Sequence, residues 1–420
     1  MNHESFNGPG SAPMEFDYLT LDDFELRDKR VLLRLDINAP IDPTTNQILD
    51  DTRIVAAKPT LDTLTRSKVV VLSHQSRPGK DDFTSLQQHA TLLQKNCSQR
   101  VRFIDDVMGP AAREAIRKLS RGEVLVLDNV RFCAEEALED KGEKLAKTNL
   151  VQRLAPLFNL YVNDAFAAAH RAQTSLVGFP HVLPSAAGRL MEREVAALQQ
   201  LLQRPERPST YLLGGAKIED KVPVIENILA NGKADHVLVG GNVGKVFLKA
   251  LGQKFNEVEE EEFAEVPDQV EKAKKILATY RNRIVTPVDF GTLEDGKRLE
   301  TQIQRLSKAG RTLDIGAETA QKFSELVGES RTVVASGPMG VFEQDGFELG
   351  TRTILEAMAN SGAYTIIGGG HLAGYAGIMG IADRLSHVST AGGAMLSLLA
   401  GEELPAISAL VQAAKRHKKM

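Results

Sequence analysis

Four arginines and two histidines stand just beyond short apolar runs in the first half of the chain. Arg53 follows the run at 31–35 by way of Asp36 and Asn38. His74 and Arg77 follow the run at 69–72, Arg131 follows that at 124–127, and His170 and Arg171 follow that at 160–162. If those runs are strands of one parallel sheet, their ends share an edge and the six groups converge on one pocket. Such a pocket suits a small substrate carrying several anionic groups, because a guanidinium pairs with phosphate or carboxylate through two parallel hydrogen bonds. The competing reading is that these arginines are surface charges, or pair with Asp36, Asp128 and Asp164 of the same segments.

The second half carries glycine where the first carries cations. Its apolar runs at 211–213, 237–239, 332–335 and 364–367 end in Gly214-Gly215, Gly240-Gly241, Ser336-Gly337-Pro338 and Gly368-Gly369-Gly370. Glycine at a strand end lets main-chain N–H groups come close to a phosphate, which gives this half the character of a nucleotide domain. Lys217 and Lys221 follow the first pair and could neutralise phosphates, or form a solvated pair flanking a helix. Because proline suits only the first turn of a regular helix, Pro223 predicts that Lys217 lies in the loop before that helix. Ser389-Thr390-Ala391-Gly392-Gly393 precedes a helical stretch at 394–399, and offers hydroxyls and bare amides to a phosphoryl group, or an ordinary helix cap.

Two tempting motifs fail. GGNVGK at 240–245 is one residue short of a phosphate-binding loop and lacks the Ser or Thr that would hold magnesium. GGGHLA at 368–373 fits the loose dinucleotide pattern, but no acidic ribose partner stands at the expected spacing.

The elements that must position these residues follow from hydrophobic patterning. Continuous apolar runs indicate strands buried on both faces, and stretches with helical character lie between them at 84–96 and 110–119. The fold class is therefore α/β: two doubly wound parallel-sheet (Rossmann-like) domains joined by an interdomain helix and hinge. With 420 residues, 42% hydrophobic and 25% charged, the chain has the length and composition for two large cores. Residues 1–14 are polar and Gly/Pro-rich and read as a flexible extension, 15–188 as an anion-binding domain, and 189–203 as the connecting helix. Residues 204–390 read as the nucleotide domain, and 391–420 as a segment packing back near the hinge and the first domain. The acidic run at 259–262 and the basic tail at 415–419 read as solvated surface.

A net charge of −4 calls for neither nucleic acid nor an anionic membrane. No apolar run reaches the roughly 18 residues of a membrane span, and no secretory signal is visible. Two cysteines, Cys97 and Cys133, suit a reducing compartment and read as buried or inert, so the expected location is cytoplasmic. A two-lobed ligand-binding protein and a nicotinamide dehydrogenase are the competing readings. The first is disfavoured by the missing signal peptide and the four glycine-rich strand ends, the second by the incomplete fingerprint.

Taken in order, RLDINAP (34–40), DDTRIVAAKPT (50–60), LSHQSRPG (72–79), DNVRF (128–132), VNDAFAAAHRAQTS (162–175), LLGGAKIEDK (212–221), LDIG (313–316), SGPMGVFE (336–343) and SHVSTAGGA (386–394) resemble the phosphoglycerate kinase family, in a form closest to its archaeal members. The resemblance covers nearly the whole chain. It implies reversible phosphoryl transfer between 1,3-bisphosphoglycerate and ADP, giving 3-phosphoglycerate and ATP, by closing of two domains about a hinge; another ATP-dependent carboxylate kinase would share the logic. By the motif match Asp36, Asn38, Arg53, His74, Arg77, Arg131, His170 and Arg171 fall on substrate-binding positions, and Arg53 on the one assigned to the transferring phosphoryl group. Lys217 and the Gly392 and Gly393 amides would share that charge. Lys217, Lys221, Gly240, Gly241, Gly316, Glu343, Gly369, Gly370, His371 and Leu372 fall on nucleotide-binding positions. The resemblance also implies a monomer or weak homodimer.

This chain departs from the family pattern at several points. His371 stands where many members carry aspartate, a poor exchange for a hard cation. Mg2+ is therefore expected to arrive with the nucleotide and to be held by phosphates and water, with no protein metal site. Ser336 stands for a common asparagine, Gln173 for a second histidine, and Ala391 for the first of three glycines.

Overall fold

The computed structural model describes residues 16–203 and 205–418, so the extension read at 1–14 lies outside the described residues. The chain divides into two compact units, one running to Gln199 and resumed from Glu403, the other spanning Gln200–Glu402.

In the first unit six strands, β1 (Arg30–Arg34), β2 (Lys68–Leu72), β3 (Arg100–Ile104), β4 (Glu123–Leu127), β5 (Leu160–Asn163) and β6 (Ser185–Ala187), form one parallel sheet in the order β3-β4-β2-β1-β5-β6. Alternate residues of a strand feed opposite cores. Val69 and Val71 pack with Leu33, Ile54 and Val126 on one face, and Val70 and Leu72 with Leu32, Leu125, Tyr161 and Phe179 on the other. Burial on both faces is why the sequence shows unbroken apolar runs. The chain leaves β1 for β2 on one side and returns through β5 on the other, so the crevice that reversal creates lies beyond the carboxyl ends of β1 and β5.

The second unit repeats the plan with β7 (Ser209–Leu213), β8 (His236–Val239), β9 (Ile284–Val285), β13 (Thr332–Ser336), β14 (Tyr364–Gly368) and β15 (His387–Ser389), ordered β15-β14-β13-β7-β8-β9 and all parallel. Here the winding reverses between β7 and β13. A separate antiparallel sheet of β10 (Asp289–Glu294), β11 (Lys297–Gln302) and β12 (Arg311–Ile315) was not anticipated from the sequence, nor were β3, β6, β9 and β15.

The helix Pro110–Arg117 begins on its proline, and the connecting helix spans Arg189–Gln203. Two sequence readings need correction. Pro223 lies in the interior of the helix Ile218–Ala230, not in its first turn. The helix survives because only one main-chain bond is forfeited while Val222, Val224, Ile225, Ile228 and Leu229 are buried. Lys217 is nevertheless its N-cap residue. The acidic run is not all solvated surface either, since Glu259 is completely buried. Both cysteines are free and half-buried, and burial pushes the Cys133 thiol up to about 11 and raises Cys97 as well. That suits inert thiols.

The helix Pro405–His417 belongs to the first unit. Ala406 N donates to Ala169 O at 3.1 Å, Arg416 donates to Pro180 O, and Lys418 pairs with Asp17 at 2.7 Å. Among the described residues no helix is long and apolar enough to cross a membrane.

Candidate active site

Beyond β1 the backbone runs into Asp36, which is 8% exposed and accepts a hydrogen bond from Arg53 at 3.1 Å and from Asn38 N at 3.2 Å. Burial alone would raise the carboxyl pKa, but the neighbouring cations, Arg53 foremost and Arg34 with it, outweigh it and hold Asp36 at about 2. Beyond β2 come His74, nearly buried, and Ser76, whose φ of 53° is rare for a residue with a side chain. That strained turn has work to do. Ser76 N donates to Asn38 Oδ1 at 2.8 Å and Ser76 O accepts from Arg131, so three loops meet on one residue. Arg77, next along, is exposed.

Arg131 lies beyond β4, where Asn129 Oδ1 accepts its main-chain N–H at 3.1 Å. Burial and the neighbouring charges of Arg171 and Arg34 pull its guanidinium down to about 10. Beyond β5, Arg171 Nε lies 3.3 Å from His170 Nε2. The structure therefore gathers Asp36, Asn38, Arg53, His74, Arg131 and Arg171 by direct bonds or mutual electrostatics, with His170 joined to Arg171. The pairing of arginine with acid, offered as a competing reading, is real for Arg53 and Asp36, and it leaves 31% of the Arg53 side chain exposed to meet a ligand.

Sequence reading missed Arg34, because it lies inside the strand β1 and not beyond it. Completely buried, it donates to Ser175 Oγ at 2.7 Å and to Leu35 O, approaches His74 Nδ1 at 3.2 Å, and has Glu136 at 3.9 Å. Asp164 was read only as a possible partner for arginine. Instead it accepts from Thr60 Oγ1 at 2.6 Å and from Leu190 N and Met191 N at 2.9 and 3.0 Å, capping the connecting helix. Burial raises it to about 6.

The second unit's candidate site is mostly main chain. Gly215 N donates to Pro338 O at 2.7 Å, Gly214 N to Ser336 O at 3.0 Å and Gly241 N to Met339 O at 2.9 Å, stitching together the loops after β7, β8 and β13. A Cβ on Gly337 would lie 2.3 Å from Gly214 O, and one on Gly214 2.3 Å from Pro338 O. Glycine is required there by space, and at Gly215, Gly241 and Gly337 also by φ of 84°, 53° and 81°. The loops holding Gly369 and Gly392 approach each other the same way, with a Cβ on Gly392 only 3.2 Å from Gly369 Cα. Gly240 is buried beside Met339.

Lys221 is buried, and its Nζ donates to Ser336 Oγ at 2.5 Å and Ser336 O at 3.1 Å. Burial, with the charge of Lys217, lowers it to about 7. Lys217, Glu343, Gly370, His371 and Gly393 are exposed, while Leu372 sends its side chain into the core and offers a ligand only main chain. The Phe342 ring lies 6.3 Å from that of His371 and 4.6 Å from that of Tyr375.

Gly316 differs from the other glycines. Its N–H is taken by Asp289 O at 2.9 Å, and the Asp289 carboxylate accepts from Glu318 N and Thr319 N at 3.1 and 2.9 Å. The helix Ala317–Glu329 thus starts on an internal cap. Beside it, buried Asp314 accepts from Gly350 N at 2.8 Å and from Arg298 at 2.9 Å, which ties β12 to the first turn of the helix Leu349–Asn360 and to β11.

Among the described residues no three His, Cys, Asp or Glu side chains cluster so as to hold a metal ion. Chemically, the first site offers cations around a fixed carboxylate and the second offers bare amides and lysines, an inventory for handling phosphates by charge and position.

Similarity to known proteins converges on one family. The model of the family described as phosphoglycerate kinase matches residues 21–402. A phosphoglycerate kinase of Methanothermus fervidus is 45% identical over 408 residues, covering 96% of this chain and 99% of the relative. That of Methanothermobacter thermautotrophicus is 46% identical over 402 residues, covering 95% and 98%. Among solved structures, the phosphoglycerate kinase of Pyrococcus horikoshii superposes with a TM-score of 0.89 at 41% identity, covering 95% of this chain and 99% of that one. That of Coxiella burnetii gives 0.73 at 34%, covering 94% and 100%. With its motifs, its two parallel sheets and these full-length matches in agreement, the chain belongs to the phosphoglycerate kinase family.

Proposed function

We propose that the protein transfers a phosphoryl group reversibly between 1,3-bisphosphoglycerate and ADP, yielding 3-phosphoglycerate and ATP. The observation that carries this reading is the gathering of Arg53, His74, Arg131 and Arg171 around Asp36 at the carboxyl edge of the first sheet. A glycerate bearing a phosphate and a carboxylate or acyl phosphate is the kind of anion such a cluster binds.

Phosphoryl transfer demands alignment and charge neutralisation more than covalent chemistry, and an acyl phosphate is reactive without an activated nucleophile. Asp36 keeps Arg53 in place while leaving part of it open, so Arg53 can meet the charge that develops on the moving group. Lys217 and the Gly392 and Gly393 amides share that charge from the nucleotide's side. Lys221, Gly240, Gly241, Gly369, Gly370, His371 and Leu372 hold the phosphates, and Glu343 holds the ribose hydroxyls. Gly316 contributes through the packing it permits around Asp289. Mg2+ enters as part of the nucleotide substrate, bound by its phosphates and water. Transfer requires both substrates to meet, so closing about the segment 189–203 is part of the reading, and it excludes water from the donor. A cytoplasmic location fits the two free cysteines, and a monomer or weak homodimer is what the family resemblance implies.

The test measures ATP consumption by the purified protein with 3-phosphoglycerate and Mg2+, coupled to an NADH-dependent dehydrogenase that removes the acyl phosphate. Loss of NADH that depends on 3-phosphoglycerate is expected. ATP binding without that loss would mean a different carboxylate substrate.

A further inference from the structure

We propose that Arg34 is a positioning residue: it fixes His74 as the tautomer carrying its proton on Nε2, so that this histidine meets an anionic substrate as a hydrogen-bond donor while the arginines supply the charge. The proposal deepens the reading above and rests on His74 belonging to the substrate site.

A guanidinium carries five N–H donors, no acceptor, and no accessible deprotonation. Arg34 Nη2 lies 3.2 Å from His74 Nδ1, so Nδ1 must present its lone pair. The contact is not adjustable, because Arg34 is 0% exposed and anchored in two further directions, by Ser175 Oγ at 2.7 Å and by Leu35 O. Its charge is balanced by Glu136, equally buried at 3.9 Å. That carboxylate is itself fixed by Ser175 N at 2.8 Å and Ser175 Oγ at 2.6 Å.

A proton on Nδ1 would set two donors against each other with no water to intervene, so imidazolium and the Nδ1–H tautomer are both excluded while Arg34 holds its place. The one remaining proton sits on Nε2, for which the described residues supply no hydrogen-bond partner. Burial, together with Arg34, Arg131 and Arg171, keeps His74 well below the usual histidine range against the opposing pull of Asp36. A neutral donor suits this corner, since another cation among three arginines would be repelled before the substrate arrived.

The experiment is 15N NMR of ring-labelled histidine in the full-length protein without ligand. Nine histidines contribute, and the His74 signals are those lost in His74→Gln. Expected is a pyridine-type Nδ1 and a pyrrole-type Nε2 throughout neutral pH. A protonated Nδ1, or an imidazolium titrating near neutrality, would overturn the proposal.

Arg34→Lys supplies a second readout, because one ammonium cannot bond three acceptors in fixed directions. The variant should let His74 sample both tautomers and raise KM for 3-phosphoglycerate about tenfold while KM for ATP stays put. An unchanged tautomer in the folded variant, or equal rises in both KM values, would count against it. Should the variant not fold, the spectrum of the unaltered protein decides. The expected tautomer together with an unaffected KM for 3-phosphoglycerate in His74→Gln would overturn the proposal through the substrate reading, distinguishably from the tautomer itself.

Discussion

The two sheets hold their candidate sites in the same place, the crevice where the winding reverses, and furnish it by opposite means. The first fills it with side chains already bound to one another: Asp36 with Arg53, Asn38 and Arg131 with Ser76, and Arg34 with His74. The second fills it with main chain from three loops packed so closely that a single Cβ at Gly214 or Gly337 would collide. One site depends on charge held in place, the other on the absence of side chains. Substitutions should therefore fail differently in the two units, by loss of function group in the first and by steric displacement or lost buttressing in the second.

The largest contrast should come from Arg53→Ala. If the first site works through placed charge, turnover falls about 10³-fold while thermal melting falls only modestly, because the buried Asp36 carboxylate that loses Arg53 keeps Arg34 nearby. Steady-state kinetics beside a melting curve checks both, and near-normal turnover would remove Arg53 from the transfer step. Glu259→Ala probes the buttress of the second site. Buried Glu259 accepts from Lys245 at 3.0 Å and Thr312 N at 3.1 Å, linking the helix behind Gly240-Gly241 to β12. Removing it leaves the buried Lys245 ammonium to the more distant Glu262, at 3.9 Å, and urea unfolding should register a loss of about 3 kcal/mol together with a raised KM for ATP. A variant of unaltered stability would mean that the glycine loops hold themselves.

Gly337→Ala should cost about 2 kcal/mol, through its φ of 81° and the collision with Gly214 O. Its KM for ATP should rise and that for 3-phosphoglycerate should not; the reverse would undo the assignment of sites to units. The smallest effect concerns protons. With Lys221 lowered to about 7, the folded protein binds fewer protons than the unfolded chain between that value and 10.5, so this lysine makes stability rise with pH across that interval. Phosphate beside it would draw a proton back. Calorimetry of ADP binding near pH 8 in buffers of different ionisation enthalpy should show uptake approaching one proton, and Lys221→Met should abolish it.

What the sequence discloses follows the same division. Doubly buried strands announce themselves as apolar runs, and the cations or glycines just beyond them are the groups gathered in the two candidate sites. Arg34 escaped notice because it interrupts such a run at 31–35 and looks like a strand residue with a charge, although its burial makes it the pivot of the first site. Glu259 escaped because an acidic run reads as surface unless the partner, Lys245, is known to lie opposite. The antiparallel strands β10–β12 carry few apolar residues, as in KRLETQ of β11 where Leu299 is the only one, and no two-sided burial rule detects such a strand. Pro223 misled because the rule for proline counts one lost bond and not the five apolar residues that hold its helix down.

The helix Pro405–His417 completes the first unit, yet the ribosome makes it only after the whole of the second has emerged. During synthesis the first sheet must wait, its surface around Ala169 and Pro180 uncovered, while more than two hundred intervening residues are added. Shortening the chain from its carboxyl end therefore injures the unit that was begun first, and a nascent chain halted before Pro405 is expected to present that face to chaperones.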